Sequence, residues 1–252
     1  MKRFPLYILA LAATCMHACE PYEKSVAPSG TEGIQLQFSV TQTQGYDNEV
    51  TLKSNTKGVI PYWDYVFGGT NQKDAVVIMP FAGDFYIKYY GYAGAIPKCD
   101  SVKVTVSQND PKFFASPYWQ LLTNGAAGKT WVWAFDAPDN SYFGVGPGDS
   151  PTPTWWVPSM AEMTGYGVVN DEMTFNLDKG LNYQLLHGGK NTNASFTFDP
   201  VNMTLKINGS DISNGEKTTY NILKLTADEL SVVQQGDGWR KFWHFKRKGF
   251  SF

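Results

Sequence analysis

Five tryptophans fall within the 38 residues from Trp119 to Trp156, in a stretch that also carries Asp136, Asp139, Asn140 and Asp149. A flat indole face stacks on the polarised C–H groups of a sugar ring, while carboxylates and amides satisfy the surrounding hydroxyls. Exposed indoles set among such side chains are the simplest chemistry that holds a carbohydrate. Trp131, Trp133, Trp155 and Trp156, with Asp136, Asp139, Asn140 and Asp149, therefore form the candidate ligand-binding set. For any single tryptophan the competing assignment is the core of a β-domain, where large aromatic rings are mostly buried. The concentration of five in so short a stretch exceeds what one core layer needs. Trp155-Trp156 is bracketed by Pro153 and Pro158. Adjacent residues of an extended segment point to opposite sides, so one ring can be buried while the other meets solvent.

Other chemistries find less support, and no catalytic residue is assigned. A glycosidase needs two carboxylates facing each other at roughly 5 to 9 Å. Asp136, Asp139, Asp171, Glu172 and Glu229 are available, but Asp171 and Glu172 are neighbours and face opposite ways on a strand. No serine stands in a G-x-S-x-G elbow. Beyond the N-terminal segment the histidines are His187, in the turn-like LLHGGK, and His244, expected to line the last strand. No Cys or His cluster has zinc spacing, so neither a metal nor another cofactor is expected. Phe143 to Gly148 is glycine-rich but lacks the strand-to-helix context and the closing Lys-Ser/Thr of a phosphate cradle; it is expected to be a loop. The basic end, Arg240 to Lys248 interleaved with aromatics, is a solvated strand face, and no nucleic-acid partner is expected.

The N-terminus speaks to location. Lys2 and Arg3 precede the apolar run from Phe4 to Ala13, the order of an export signal and too short for a membrane span. Ala18-Cys19 fits the processing site of a bacterial lipoprotein, with Cys19 acylated and Cys15 the alternative. Residues 1–19 are thus expected to be signal and lipobox, and 20–32, polar with two prolines, a flexible tether. The expected product is an exported outer-membrane lipoprotein on the cell surface or the periplasmic face, touching the membrane through its lipid. Cys99 is then left without a partner for a disulfide within the processed chain.

The remaining chain reads as strands. Ile34, Leu36, Phe38 and Val40 alternate at period two, as do Val102, Val104 and Val106, with short apolar runs and turn residues between them. Trp131 and Trp133 share one face of a strand, and Val132 and Ala134 the other. Further strand-like runs lie at 173–177, 196–198, 203–207 and 220–225, and Gly236-Asp237-Gly238 is a hairpin tip before a final strand through Trp243 and Phe245. Long helical periodicity is absent.

Residues IPYWDYVFGG (60–69), MPFAGDFYIKYYGY (79–92) and SVKVTVSQND (101–110) resemble a PKD domain, an immunoglobulin-like module. Trp63-Asp64 stands where that family writes WDFGDG, and Gly83-Asp84-Phe85-Tyr86 where it turns into a strand. The resemblance implies an Ig-like sandwich over 33–110 acting as a spacer, with Trp63 as its buried plug. KTWVWAFD (129–136), YFGVGPGD (142–149), PTWWVPSM (153–160), NDEMTFNL (170–177) and YNILKLTADELSV (220–232) are similar to the C-terminal part of Bacteroidota surface lipoproteins of glycan-utilisation systems. That similarity implies a polysaccharide or oligosaccharide partner, together with other surface proteins of such a system.

The whole is expected to be all-β: the Ig-like sandwich, then a second antiparallel domain over 111–252. For the latter a jelly roll or sandwich comes first and a lipocalin-like barrel second. Capture of a glycan through exposed tryptophans is the expected function. Glycoside hydrolysis of an unrecognised type and partner docking are the alternatives.

Overall fold

The computed structural model describes residues 33–252; Cys15, Cys19 and the tether lie outside the described residues. The protein is all-β, as its alternating pattern predicts. It divides into two compact units. One takes in the described residues up to Gln42 with Val50–Val77 and Phe85–Val104; the other takes in Thr43–Glu49, Ile78–Asp84 and Thr105–Phe252.

Seven strands come first: β1 (Phe38–Thr43), β2 (Tyr46–Ser54), β3 (Ile60–Asp64), β4 (Gly69–Thr70), β5 (Asp74–Ile78), β6 (Gly83–Tyr92) and β7 (Lys98–Val106). They form a three-stranded sheet, β1-β2-β5, and a four-stranded sheet, β4-β3-β6-β7. Alternate residues of each strand point to one face, and those of the two inner faces meet. Phe38 of β1 packs edge-on to Trp63 of β3 at 5.7 Å and stacks on Tyr89 of β6 at 4.7 Å. Trp63 is fully buried, its indole N–H donating to the Gln72 carbonyl, so the ring predicted to plug this core does so without stranding its polar atom.

The second unit is built on helix α1 (Pro117–Thr123), strands β8 (Lys129–Trp133) and β9 (Phe143–Pro147), helix α2 (Met160–Gly165), and then seven strands. These are β10 (Glu172–Asn176), β11 (Asn182–His187), β12 (Lys190–Asp199), β13 (Thr204–Asn208), β14 (Thr219–Leu225), β15 (Glu229–Gln235) and β16 (Trp239–Arg247). From β10 onward each strand pairs antiparallel with the next, and β8 pairs with both β10 and β16. That closes an eight-stranded up-and-down barrel. Of the two architectures expected for this region, the closed barrel is the one formed. β16 is long enough to take two partners along one edge: Phe245–Arg247 pair with β8, and Trp239–Trp243 pair with β9.

An eight-stranded barrel has an interior just wide enough for side chains to fill, and here aromatics fill it. Trp131, Trp243, Phe175, Phe196, Tyr220 and Phe245 are each buried to within 2%. At one end α1 contributes Trp119, edge-on to Phe198 at 5.0 Å, and the Leu122 carbonyl accepts from the Trp131 indole. The connection between β13 and β14 supplies partners for other interior polar atoms. Ser213 Oγ accepts from Trp133, the Asn214 carbonyl from Trp243, and the Asp211 carbonyl from Tyr183. A barrel packed in this way holds no ligand inside, so any binding surface of this unit lies on its outside.

Candidate functional site

A concavity of about 700 Å³ lies against the outer faces of β14, β15 and β16. The segment 137–153 forms its other wall. Outward-facing Leu223, Lys224, Glu229, Ser231, Arg240, Phe242 and His244 line the strand side, and Asp139, Ser141, Asp149 and Pro151–Pro153 the loop side.

Alternation explains which residues reach the cleft. Trp243 and Phe245 point into the barrel, so Phe242 and His244 must point out. The loop wall is held close because β9 carries glycine opposite those side chains. Gly144 pairs with Phe242 and Gly146 with Arg240. A Cβ at Gly144 would overlap the Trp156 carbonyl oxygen, and its φ of +151° is one that L side chains avoid. Residues 152–156 therefore lie directly on the β9 backbone.

Within the cleft a chain of polar contacts runs through one imidazole. Ser141 Oγ donates to Asp139 Oδ1 at 2.6 Å and lies 3.3 Å from His244 Nδ1; His244 Nε2 lies 3.2 Å from Glu229 Oε2. Lys224 Nζ holds the other Glu229 oxygen at 2.7 Å. Burial pushes the His244 imidazole below its ordinary value, and Glu229 and Asp139 only partly offset that effect. Burial also raises Asp139, but hydrogen bonds from the Ser141 hydroxyl and backbone, with His244 nearby, outweigh it and leave the carboxyl below its usual range. At neutral pH the site thus holds a neutral imidazole and an ionised Asp139.

This has a consequence for stability. The unfolded chain binds a proton at His244 near pH 6.5, whereas the folded ring takes it up only at lower pH. Stability from this residue is fully present above about pH 6.5 and is lost as pH falls toward the folded value. Thermal unfolding of the full chain between pH 7.5 and 4.5 should show a steeper loss in the natural protein than in His244→Gln. Identical slopes would show that the ring titrates alike in both states.

The candidate residues are distributed as follows. Asp139 and Asp149 line the cleft. Asp136 sits apart, paired with Lys246 at 2.6 Å, and Asn140 occupies an exposed left-handed turn position. Trp131 and Trp133 are a correction. They do share one strand face, but that face is the barrel interior, where they are 0% and 3% exposed and unavailable for stacking. Trp155 and Trp156 are 60% and 40% exposed. Trp156 is the more covered of the pair, edge-on to Phe143 at 5.9 Å. The glycine-rich 143–148 stretch, expected as a loop, forms β9 over Phe143–Pro147, paired with β16.

The backbone that carries the two exposed indoles is held in place. Both of their N–H groups donate to the Val145 carbonyl, at 3.0 and 3.2 Å, and the Val145 N–H donates to the Trp156 carbonyl. Downstream, the Tyr142 hydroxyl donates to the Pro158 carbonyl. Ser159 and Glu162 then form a reciprocal cap at the start of α2.

Residues the sequence did not bring to the site are His244, Glu229, Ser141, Arg240 and Phe242. They are scattered over more than a hundred positions and meet only through barrel closure. Trp239, 36% exposed and packed over Gly236, is a further solvent-facing indole that sequence reasoning passed over. A second buried network joins Asp171 to Ser213 Oγ at 2.6 Å and to His187 Nδ1 at 3.0 Å. It ties the His187 turn to the barrel wall. Among the described residues no three His, Cys, Asp or Glu side chains group as a metal site.

The fold and site define a filled antiparallel barrel with an external polar cleft and a pair of presented indoles beside its loop wall. No family model and no curated protein compared with the chain matches it.

Proposed function

We propose that this chain is a non-catalytic carbohydrate-binding protein whose second unit captures a polysaccharide or oligosaccharide on its outer surface. The observation that carries the reading is the Trp155-Trp156 pair, 60% and 40% exposed and pinned to Val145 through the backbone. Exposed indoles normally cost a protein solubility, and each of these two presents an apolar face of the kind that sugar rings stack on. The cleft walled by the same loop supplies hydroxyl partners of both signs: Asp139, Asp149, Arg240 and Ser231. In this reading Cys19 carries the lipid anchor of an envelope protein and the first unit serves as a spacer.

Affinity gel electrophoresis of the full chain against a polysaccharide panel tests it. Trp155→Ala and Trp156→Ala should each weaken retention by about 1–3 kcal/mol, taking the scale of stacking on nucleic-acid bases. Unchanged retention in both variants would remove the assignment.

Hydrolysis is the second reading, favoured by one observation: Asp139 and Glu229 open to one cleft on opposite sides of His244. In that reading Asp139, held below its usual range, despite burial, by the Ser141 hydrogen bonds, is the ionised carboxylate of the pair. Release of reducing sugar that disappears in Asp139→Asn or Glu229→Gln would establish the enzyme.

A further inference from the structure

The cleft and the indole pair are neighbouring but separate surfaces. Pro151–Pro153 line the cleft, whereas neither Trp155 nor Trp156 does. Trp155 stands two residues past Pro153, at most about 7 Å along the backbone. Both indole-bearing residues are bonded through their main chain to Val145, which pairs with Lys241 of β16. The indoles therefore flank the end of the cleft that Arg240 lines.

At the other end stands an aromatic ring that the sequence patterns do not single out. Phe252, beyond the end of β16, lines the cleft beside His244 and is 45% exposed. It makes T-shaped contacts with the His244 ring at 5.8 Å and with Phe250 at 5.2 Å. A large apolar ring that stays in water within a polar concavity is a stacking surface of the same kind as the indoles.

Strand geometry separates these two positions. Lys241 and His244 are three residues apart on one strand, about 10 Å of rise, and the 151–153 wall stands between the indoles and the cleft. A single sugar ring is too small to touch both. The cleft between them offers groups that hydroxyls can engage. Arg240 gives Nε to Gln235 and one Nη to the Ser150 carbonyl, and its second Nη has no partner among the described residues. The Ser231 hydroxyl and the Asp149 carboxylate, which also line the cleft, have none there either.

Building on the carbohydrate reading, we infer that the ligand is a run of several linked sugars bound lengthwise, with Phe252 as its second stacking residue. One unit stacks on Phe252 at the His244 end. Hydroxyls of the following units meet Ser231, Arg240 and Asp149, and a further unit crosses the wall to the indoles. A monosaccharide reaches one position only. Contacts joined by one chain bind more tightly than either alone, because the second forms at high effective concentration.

Affinity gels of the full chain would contain a neutral β-glucan, a neutral mannan or a polygalacturonate. The hexasaccharide and the monosaccharide of each retaining polymer would then be titrated calorimetrically. The natural protein should bind the hexasaccharide about a hundredfold more tightly than the monosaccharide, the lower end for two linked contacts. Phe252→Ala should lose about tenfold on the hexasaccharide, the scale of one stacking contact. Phe252→Tyr keeps the ring face and should bind as the natural chain does.

Full affinity for the hexasaccharide in Phe252→Ala, or a monosaccharide bound as tightly as the hexasaccharide, would overturn this inference. Retention that Trp155→Ala still weakens would in that case leave the carbohydrate reading standing. Retention by no polymer of the three would remove both.

Discussion

Trp243→Ala is expected to destabilise the barrel unit by about 3–5 kcal/mol, the range for emptying a buried large aromatic site. The ring is fully buried, lies edge-on to Tyr220 at 5.3 Å and to Phe143 at 5.6 Å, and gives its N–H to the Asn214 carbonyl. Removing it therefore leaves a cavity and an unserved carbonyl at the end of the barrel. Trp155→Ala, on the exposed loop, should change stability by no more than about 0.5 kcal/mol. Urea unfolding of the two variants beside the natural chain checks both. Equal midpoints would mean that the indoles do not divide into interior and presented sets, and the proposed function would lose its basis.

The second large effect is expected at Gly144. Gly144→Ala forces a side chain into a positive-φ position and against the Trp156 carbonyl oxygen. Backbone strain and overpacking are each worth about 1–3 kcal/mol. The loop has a cheaper response than unfolding: residues 152–156 lift away, breaking the Val145 contacts and releasing both indoles. Glycan retention should then fall by at least as much as in Trp156→Ala, with barrel stability reduced by about 2–4 kcal/mol. Full retention would show that the indole pair needs no backbone clamp.

Local patterns in the sequence carried much of this architecture. Trp63 is buried where its strand context places it. Trp131 and Trp133 share a face, and the Gly236-Asp237-Gly238 tip joins β15 to β16 with Gln235 opposite Arg240. Each of these depends on period-two alternation or turn chemistry within about ten residues. Which face was interior was not written locally: the same alternation serves an exposed platform or a core, and only closure of the barrel turns Trp131 inward. The β9 glycines were misleading for a related reason. Gly144 and Gly146 look like loop residues, but they leave room on a strand for another segment to lie upon it. The chain of polar contacts through His244 was least legible of all. Ser141 and His244 are separated by 103 positions, and nothing near either of them in sequence marks the encounter.

Closure at β8 and β16 also bears on how the second unit is assembled. The pairs from β10 to β16 join consecutive strands, each formed across a short connection. Of the two remaining pairings, β8 joins β10 across the segment that holds β9 and α2, and the β8–β16 seam, beside the Asp136–Lys246 ion pair, brings together residues 110 positions apart. Long loops close late, because their entropy must be overcome before the contacts that repay it exist. A meander of consecutive hairpins should therefore accumulate first, curled but unsealed. Until the seam zips shut, two unsatisfied strand borders are offered to neighbouring chains, so misassembly of this protein during refolding should be governed by the lifetime of that open sheet.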